Sequence, residues 1–155
     1  MNQRVENEVI TNARIMFRNF KGEKSRYNKE GDKNFCVVID DMDHAKELID
    51  IGWNVKILKP REEGDEPLYY IPVAIRYDII PPKIYMVTKT KKILLDEDTV
   101  KTLDYAEIVN VDLELRPYCW TGDNGETGIK AYCHKMYVDI YQSPLDLKYE
   151  NLGEE

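Results

Sequence analysis

Residues 107–141 constrain this chain more than any other stretch. They hold a run of strict alternation, a turn of Gly, Asp and Asn, and a return run rich in aromatic and basic side chains. In the first arm Val109, Val111, Leu113 and Leu115 share one parity, while Asn110, Asp112, Glu114, Arg116, Tyr118 and Trp120 share the other. Successive strand side chains point to opposite faces, so the pattern specifies a long β-hairpin with one face for a core and one left to solvent. The solvent face ends in Arg116, Tyr118 and Trp120. Rings beside a guanidinium, on a face the core does not need, have the chemistry for stacking on unpaired bases. In the return arm the apolar parity changes from Ile129, Ala131 and Cys133 to Met136, Val138 and Ile140. A bulge near His134 and Lys135, as where a strand bends around a barrel, accounts for the change.

The remaining patterns are mostly of strand type. From Val9 to Phe20 one parity holds Val9, Thr11, Ala13, Ile15 and Phe17, and the other holds Ile10, Asn12, Arg14, Met16, Arg18 and Phe20. Read as one strand, this segment has a core face and a basic outer face that carries Phe20. Residues 21–32, rich in Gly, Ser, Asn and Lys and without periodicity, read as a mobile loop. Phe35 to Ile39 is a continuous apolar run of strand length. Asp40 or Asp41 is placed to cap a helix with Met42, Ala45, Leu48 and Ile49 on one stripe, and Gly52 to close it. Trp53, Val55 and Ile57 then alternate on a strand, with Trp53 in the core. Tyr69, Ile71, Val73, Ile75 and Tyr77 alternate again, and Pro72 on the other parity predicts an edge or bulged position. Ile84 to Thr88 forms a further strand, and a second short helix starts at Asp96 with Val100 and Leu103 inward.

Seven or so short strands and a capped helix predict a mainly β fold: a small curved barrel of the oligonucleotide/oligosaccharide-binding (OB) type, with one or two short helices and extended loops. The organisation expected is an N-terminal arm over residues 1–9, one domain over 10–141, and an acidic, disordered tail over 142–155.

Charge sharpens the reading. The net charge of −7 is segregated along the chain. Residues 10–39 hold seven bases against three acids, and residues 67–95 five against one, each a net +4. Residues 40–66 and 96–114 are acidic, at −5 and −6. A folded sheet that gathered the basic bands would present a field suited to a phosphate backbone whatever the total. The alternative is a set of ordinary solvated loops with no common surface. The expected phosphate contacts are Arg14, Arg18, Lys21, Lys24, Arg26, Lys89, Lys91, Lys92 and Lys130. The expected base contacts are Phe20, Tyr27, Tyr118, Trp120 and Tyr132, with Arg116 beside them. Tyr132 facing Trp120 across the hairpin would equally serve as a structural aromatic pair.

Other classes find little support. No apolar run of about 18 residues exists, so no membrane span is expected, and the polar N-terminus lacks a signal-peptide core. Cys36, Cys119 and Cys133 have neither the even count of a disulfide framework nor C-x-x-C spacing. A cytoplasmic protein is expected, without cofactor or metal. There is no Walker loop, Rossmann fingerprint, G-x-S-x-G or H-x-x-x-H. Asp40, Asp41 and Asp43, or Asp112 with Glu114, would have to serve a metal-dependent nuclease, and helix capping explains the first group more simply. An acidic protein-binding module or DNA-mimicking inhibitor is the other alternative.

Several segments together resemble a known family. Asn34-Phe35-Cys36-Val37-Val38-Ile39-Asp40-Asp41, Gly52-Trp53-Asn54-Val55, Pro81-Pro82-Lys83-Ile84-Tyr85-Met86-Val87-Thr88, Asp112-Leu113-Glu114-Leu115-Arg116-Pro117-Tyr118 and Gly128-Ile129-Lys130-Ala131-Tyr132 are similar to the small single-stranded DNA-binding proteins of phage replication modules. The resemblance covers residues 10–141. It implies an OB fold that coats unpaired DNA without catalysis in replication or recombination, in the host cytoplasm, with an acidic tail that recruits replication or recombination proteins. The tail here departs from the broader group, ending without an aromatic residue; its last apolar positions are Tyr149 and Leu152. A homodimer would form on an exposed edge strand, expected to be the one bearing Pro72.

Overall fold

The computed structural model describes residues 5–60 and 62–149. Its chain order is β1 (Glu8–Ala13), β2 (Ile15–Asn19), β3 (Lys33–Ile39), α1 (Met42–Ile51), β4 (Lys56–Leu58), β5 (Leu68–Ile75), β6 (Lys83–Val87) and β7 (Lys92–Leu95). A 3-10 turn (Val100–Asp104) then leads into the hairpin β8 (Ile108–Thr121) and β9 (Thr127–Ile140), and α2 (Pro144–Tyr149) follows.

The barrel closes because the first strand changes partner at its middle. β1 runs antiparallel to β8, and β2 runs antiparallel to β3. The break between them falls at Arg14, whose carbonyl still accepts from the Val38 amide at 2.9 Å. From β3 the sheet continues through β5 to β9, the last pair parallel, and β9 returns antiparallel to β8. With β1 and β2 counted as one bent strand, five strands form a closed ring of the OB type.

The bulge expected near His134 is present. Glu114 pairs with Lys135 while Leu115 pairs with Cys133, which leaves His134 as the extra residue. Alternation on either side of it sends Ala131, Cys133, Met136 and Val138 into the core. The helix is capped as its sequence dictates: the Asp41 side chain accepts from the Asp43 amide, and Gly52 closes the end at a φ of 119°. Ala45 and Leu48 are its buried residues, and Trp53 is buried as expected.

Several expectations need correction. Residues 9–20 are not one regular strand; Asn12 and Phe17 take φ values of 52° and 53°, and the register slips at both places. Each irregularity breaks the alternation, so Phe20 turns inward. Pro72 is not on an edge: it pairs with Cys36 inside the β3–β5 ladder, where the other side of β5 passes from β4 (residues 68–70) to β9 (residues 73–74). Among the described residues β4 pairs with β5 alone and β7 with β6 alone, so each leaves a free edge. The helix expected at Asp96 is the 3-10 turn, with Val100 and Leu103 buried. In the tail expected to be disordered, Pro144–Tyr149 is helical; residues 150–155 of that tail, and 1–4 of the N-terminal arm, lie outside the described residues. Among the described residues no helix is long and apolar enough to cross a membrane.

Candidate nucleic-acid interface

The outer face of the barrel is read from its ladders, because directly opposed residues share a face. Asn34 of β3 opposes Ala74 of β5, Ala74 opposes Tyr132 of β9, and Tyr132 opposes Arg116 of β8. Further along, Tyr118 opposes Lys130 and Trp120 opposes Gly128. The neighbours on the other parity, Phe35, Val73, Ala131 and Leu115, are all buried. Five residues expected from the sequence to act together, Arg116, Tyr118, Trp120, Lys130 and Tyr132, therefore share one side of the hairpin.

Their contacts are those of a cationic aromatic surface. The Arg116 guanidinium carbon lies 5.0 Å from the Tyr132 ring centroid and the Lys130 ammonium 5.3 Å from it. Tyr118 meets Tyr132 edge-on at 6.2 Å. Tyr132 thus pairs with Arg116 and touches Tyr118, rather than facing Trp120 as expected. Tyr118 is 53% and Trp120 40% exposed, large values for rings in a strand. The hairpin turn is set by the Gly122 amide, which donates to the Glu126 carbonyl at 2.7 Å, and by Gly125 at a φ of 87°.

A groove of about 1070 Å³ runs between this hairpin and the end of the loop over residues 20–32, lined there by Tyr27, Asn28, Lys29, Gly31 and Asp32, with Cys36, Pro72 and Ala74 also in its lining. That loop is pinned rather than unstructured. Asn19 Oδ1 accepts from the amides of Gly22 and Glu23, and Asn28 Nδ2 donates to the carbonyls of Glu23, Lys29 and Asp32. Asn34 Nδ2 reaches Asn28 Oδ1 at 2.7 Å, tying the loop to β3. At the tip Tyr27 is 90% exposed, with the Arg26 guanidinium 5.7 Å from its ring; Lys24 is also exposed. Arg76 and Asp78, paired through two hydrogen bonds, border the groove. Their hydrogen bond holds the Asp78 carboxyl below its usual range. Burial instead pushes the Tyr77 hydroxyl well up, and that hydroxyl has no hydrogen-bond partner among the described residues.

Other residues expected at the site stand elsewhere. Phe20 is fully buried and stacks on Phe35, centroids 5.3 Å apart, because the bulge at Phe17 inverts the parity. Arg18 Nη1 donates to the carbonyls of Leu103 and Ala106, both at 2.8 Å, so it fastens the 3-10 turn to β2. Arg14 pairs with Asp40 at 2.7 Å and Lys21 with Glu23 at 3.3 Å. Lys89, Lys91 and Lys92 sit in and beside the β6–β7 turn, against the second half of β9 rather than in the groove.

Sequence reasoning missed two aromatics. Phe17 is 60% exposed and meets Tyr70, an outward residue of β5, edge-on at 6.0 Å. A bulky residue at positive φ is a genuine outlier, so Phe17, unlike a Gly or Asn, gives no sign of the bulge in the sequence. The carboxylates considered for metal chemistry serve the backbone or neighbouring polar groups: Asp112 accepts from the Asn12 amide, Glu114 from Asn7 Nδ2, and Asp41 caps α1.

Comparison with known proteins points the same way. The family model of the phage ssDNA-binding domain matches residues 1–155. The single-stranded DNA-binding protein of bacteriophage Enc34, solved in complex with ssDNA, superposes with a TM-score of 0.58 at 13% identity, over 89% of this chain and 88% of that one. A second structure of the Enc34 protein gives 0.56 at 12% identity, over 96% and 87%. At such identity the likeness concerns the fold. No curated protein sequence matches.

Proposed function

The chain belongs to the phage ssDNA-binding domain family, and from that membership we propose that it coats unpaired DNA without catalysis during phage replication or recombination, in the host cytoplasm. The observation that carries this reading is the shared face of Arg116, Tyr118, Trp120, Lys130 and Tyr132 beside the groove. Bases stack on Tyr118, Trp120 and Tyr132, with the Arg116 plane as a further stacking surface. Phosphates are met by Lys130 and, from the tip of the pinned loop beside Tyr27, by Lys24 and Arg26. Every base has a π-face, so stacking confers little sequence preference, while the ionic contacts make affinity fall steeply with salt.

The test is a titration with labelled single-stranded DNA, duplex DNA and RNA of equal length at low and moderate salt, followed by anisotropy and tryptophan fluorescence. Trp53 is buried and Trp120 exposed, so most of the fluorescence response belongs to Trp120 and is lost in Trp120→Phe. Salt-sensitive binding that favours the single strand is the expected result. Absence of binding to all three would remove the reading and make a protein partner the next search.

A further inference from the structure

The β6–β7 hairpin carries a second surface of the same chemistry. Residues 79–95 contain four lysines, Lys83, Lys89, Lys91 and Lys92, and no acid, in a chain whose net charge is −7. Ile84 and Leu95 point inward and are buried, as are Met136 and Val138 of the strand β6 lies against. Lys83, Tyr85 and Lys92 therefore share the outer side with Lys135 and Tyr137.

On that side Tyr85 opposes Tyr137, and their rings stack with centroids 4.9 Å apart and planes 9° from parallel. The Lys92 ammonium lies 4.9 Å from the first ring centroid and 5.9 Å from the second; that of Lys135 lies 5.6 Å from the second. Beside the pair, Lys83 and Lys135 are direct cross-strand neighbours. Like charges in that position are destabilising; Glu114 opposes Lys135 from β8, yet among the described residues neither ammonium forms an ion pair. A pair of tyrosines that served packing alone would not require two repelling cations next to it; an anion bridging them relieves the repulsion.

The surface continues the outer face of the hairpin along β9. Tyr132 and Tyr137 are five residues apart on β9, an odd separation that would put them on opposite faces of a regular strand. The bulge at His134 supplies the extra residue that returns both to the outer face; their partners Arg116 and Asp112 are four residues apart on β8, roughly 14 Å at the usual rise of a strand. Asp112 and Glu114 border this surface on the β8 side, and Asp139 lies on β9 two residues beyond Tyr137, so a polyanion crossing it is steered toward Lys83 and Lys92.

We infer that Tyr85 and Tyr137, with Lys83, Lys92 and Lys135, form a second platform for the same single strand, reached only by DNA longer than the groove accommodates. The inference rests on the function proposed above. Bases lie against the tyrosine pair, and the ammonium groups now held over the rings move to the flanking phosphates.

The experiment compares oligothymidylates of about 6 and about 16 nucleotides, toward the two ends of the range that single OB folds cover, on the full chain and on Lys83→Gln/Lys92→Gln. The double variant should bind the short strand as the wild type does and the long strand about 5- to 20-fold more weakly, with a salt slope shallower by about 1.4 for two lost phosphate contacts. Tyr137→Leu, checked for an unchanged melting profile, should also lose affinity for the long strand alone. Equal losses at both lengths, or none, would overturn the second platform while leaving the groove intact. Unchanged binding with altered sedimentation of the free protein would overturn it too, by assigning the face to contact between copies. A wild type that binds neither length removes both readings.

Discussion

The indole of Trp120 occupies the space that a side chain at residue 128 would need: a Cβ built on Gly128 comes within 2.6 Å of its Cζ2 and 2.8 Å of its Cε2. The two residues oppose each other across the hairpin, so glycine there leaves the ring room against its neighbouring strand. Gly128→Ala should displace the indole, shift its emission and weaken single-stranded DNA binding by about 1–3 kcal/mol, the usual worth of one stacked base. The site is at the exposed end of the hairpin, so the melting temperature should barely move. An unaltered emission spectrum with full affinity would show that the ring position is immaterial.

Phe17 and Phe20 separate the two consequences of a single bulge. Phe20→Ala removes a fully buried ring stacked on Phe35 and should cost about 3–5 kcal/mol of stability in a denaturant titration. Phe17→Gly removes an exposed ring and relaxes a backbone held at a φ of 53°. It should leave stability level or raise it by up to about 1 kcal/mol, yet lower DNA affinity. Loss of stability without loss of affinity would make Phe17 a structural residue.

These two positions also mark the limit of what the sequence discloses. The hairpin of β8 and β9 was legible from Val111 onward, including the bulge near His134, because the apolar parity itself changes between Cys133 and Met136; Val109, on the same parity as Val111, is exposed because the register also shifts between Ile108 and Asn110. The first strand carries no such sign: Ile15 and Phe17 keep the parity of Ala13, and the inversion at Phe17 rests on a positive φ that no glycine announces. Loop order was invisible for a related reason. Asn19, Asn28 and Asn34 read as ordinary loop polarity, and only the fold brings Asn34 Nδ2 to Asn28 Oδ1. The hairpin half of the candidate site was therefore readable, whereas the Phe17–Tyr70 contact and the second half of β9 were not.

Arg18 and Arg26 should respond in opposite ways to truncation. Arg18 donates to two carbonyls that terminate the 3-10 turn and its connection to β8, so Arg18→Ala should lower stability by about 1–2 kcal/mol, the guanidinium being partly open to water. Arg26, at the tip of its loop, makes a contact among the described residues only with the ring of Tyr27. Arg26→Ala should leave the melting temperature unchanged and reduce the salt slope by about 0.7. The reverse assignment would move the phosphate path from the loop to β2.

The three thiols should report folding. Burial pushes Cys36 up to about 11 and Cys133 up to about 12, which leaves little thiolate at mildly alkaline pH, whereas Cys119 is exposed. With an aromatic disulfide reagent at pH 8, one thiol should react at once, and it should be absent from Cys119→Ser. Cys133, buried, should react only with denaturant, and Cys36, half-buried in the groove and with little thiolate, slowly. Two fast thiols in the native protein would mean that the β3 face around Cys36 is more open than the ladder with Pro72 implies.

Tyr132 is where stacking and ionic contributions can be told apart. It receives the Arg116 guanidinium at 5.0 Å and the Lys130 ammonium at 5.3 Å, and Tyr118 meets its edge. If its ring is the binding element, Tyr132→Phe keeps affinity, because the hydroxyl adds nothing to a π-face, and Tyr132→Ala loses about 1–3 kcal/mol. Arg116→Lys tests the neighbour: charge is retained, so the salt slope should hold, but the planar group that can itself stack is gone, and affinity should drop. A double-mutant cycle between Tyr132→Ala and Arg116→Ala then decides how the two act. Substantial coupling would mean that the guanidinium works by holding the ring in place. Additive losses would mean that each meets its own part of the strand, as their opposed positions on β8 and β9 allow.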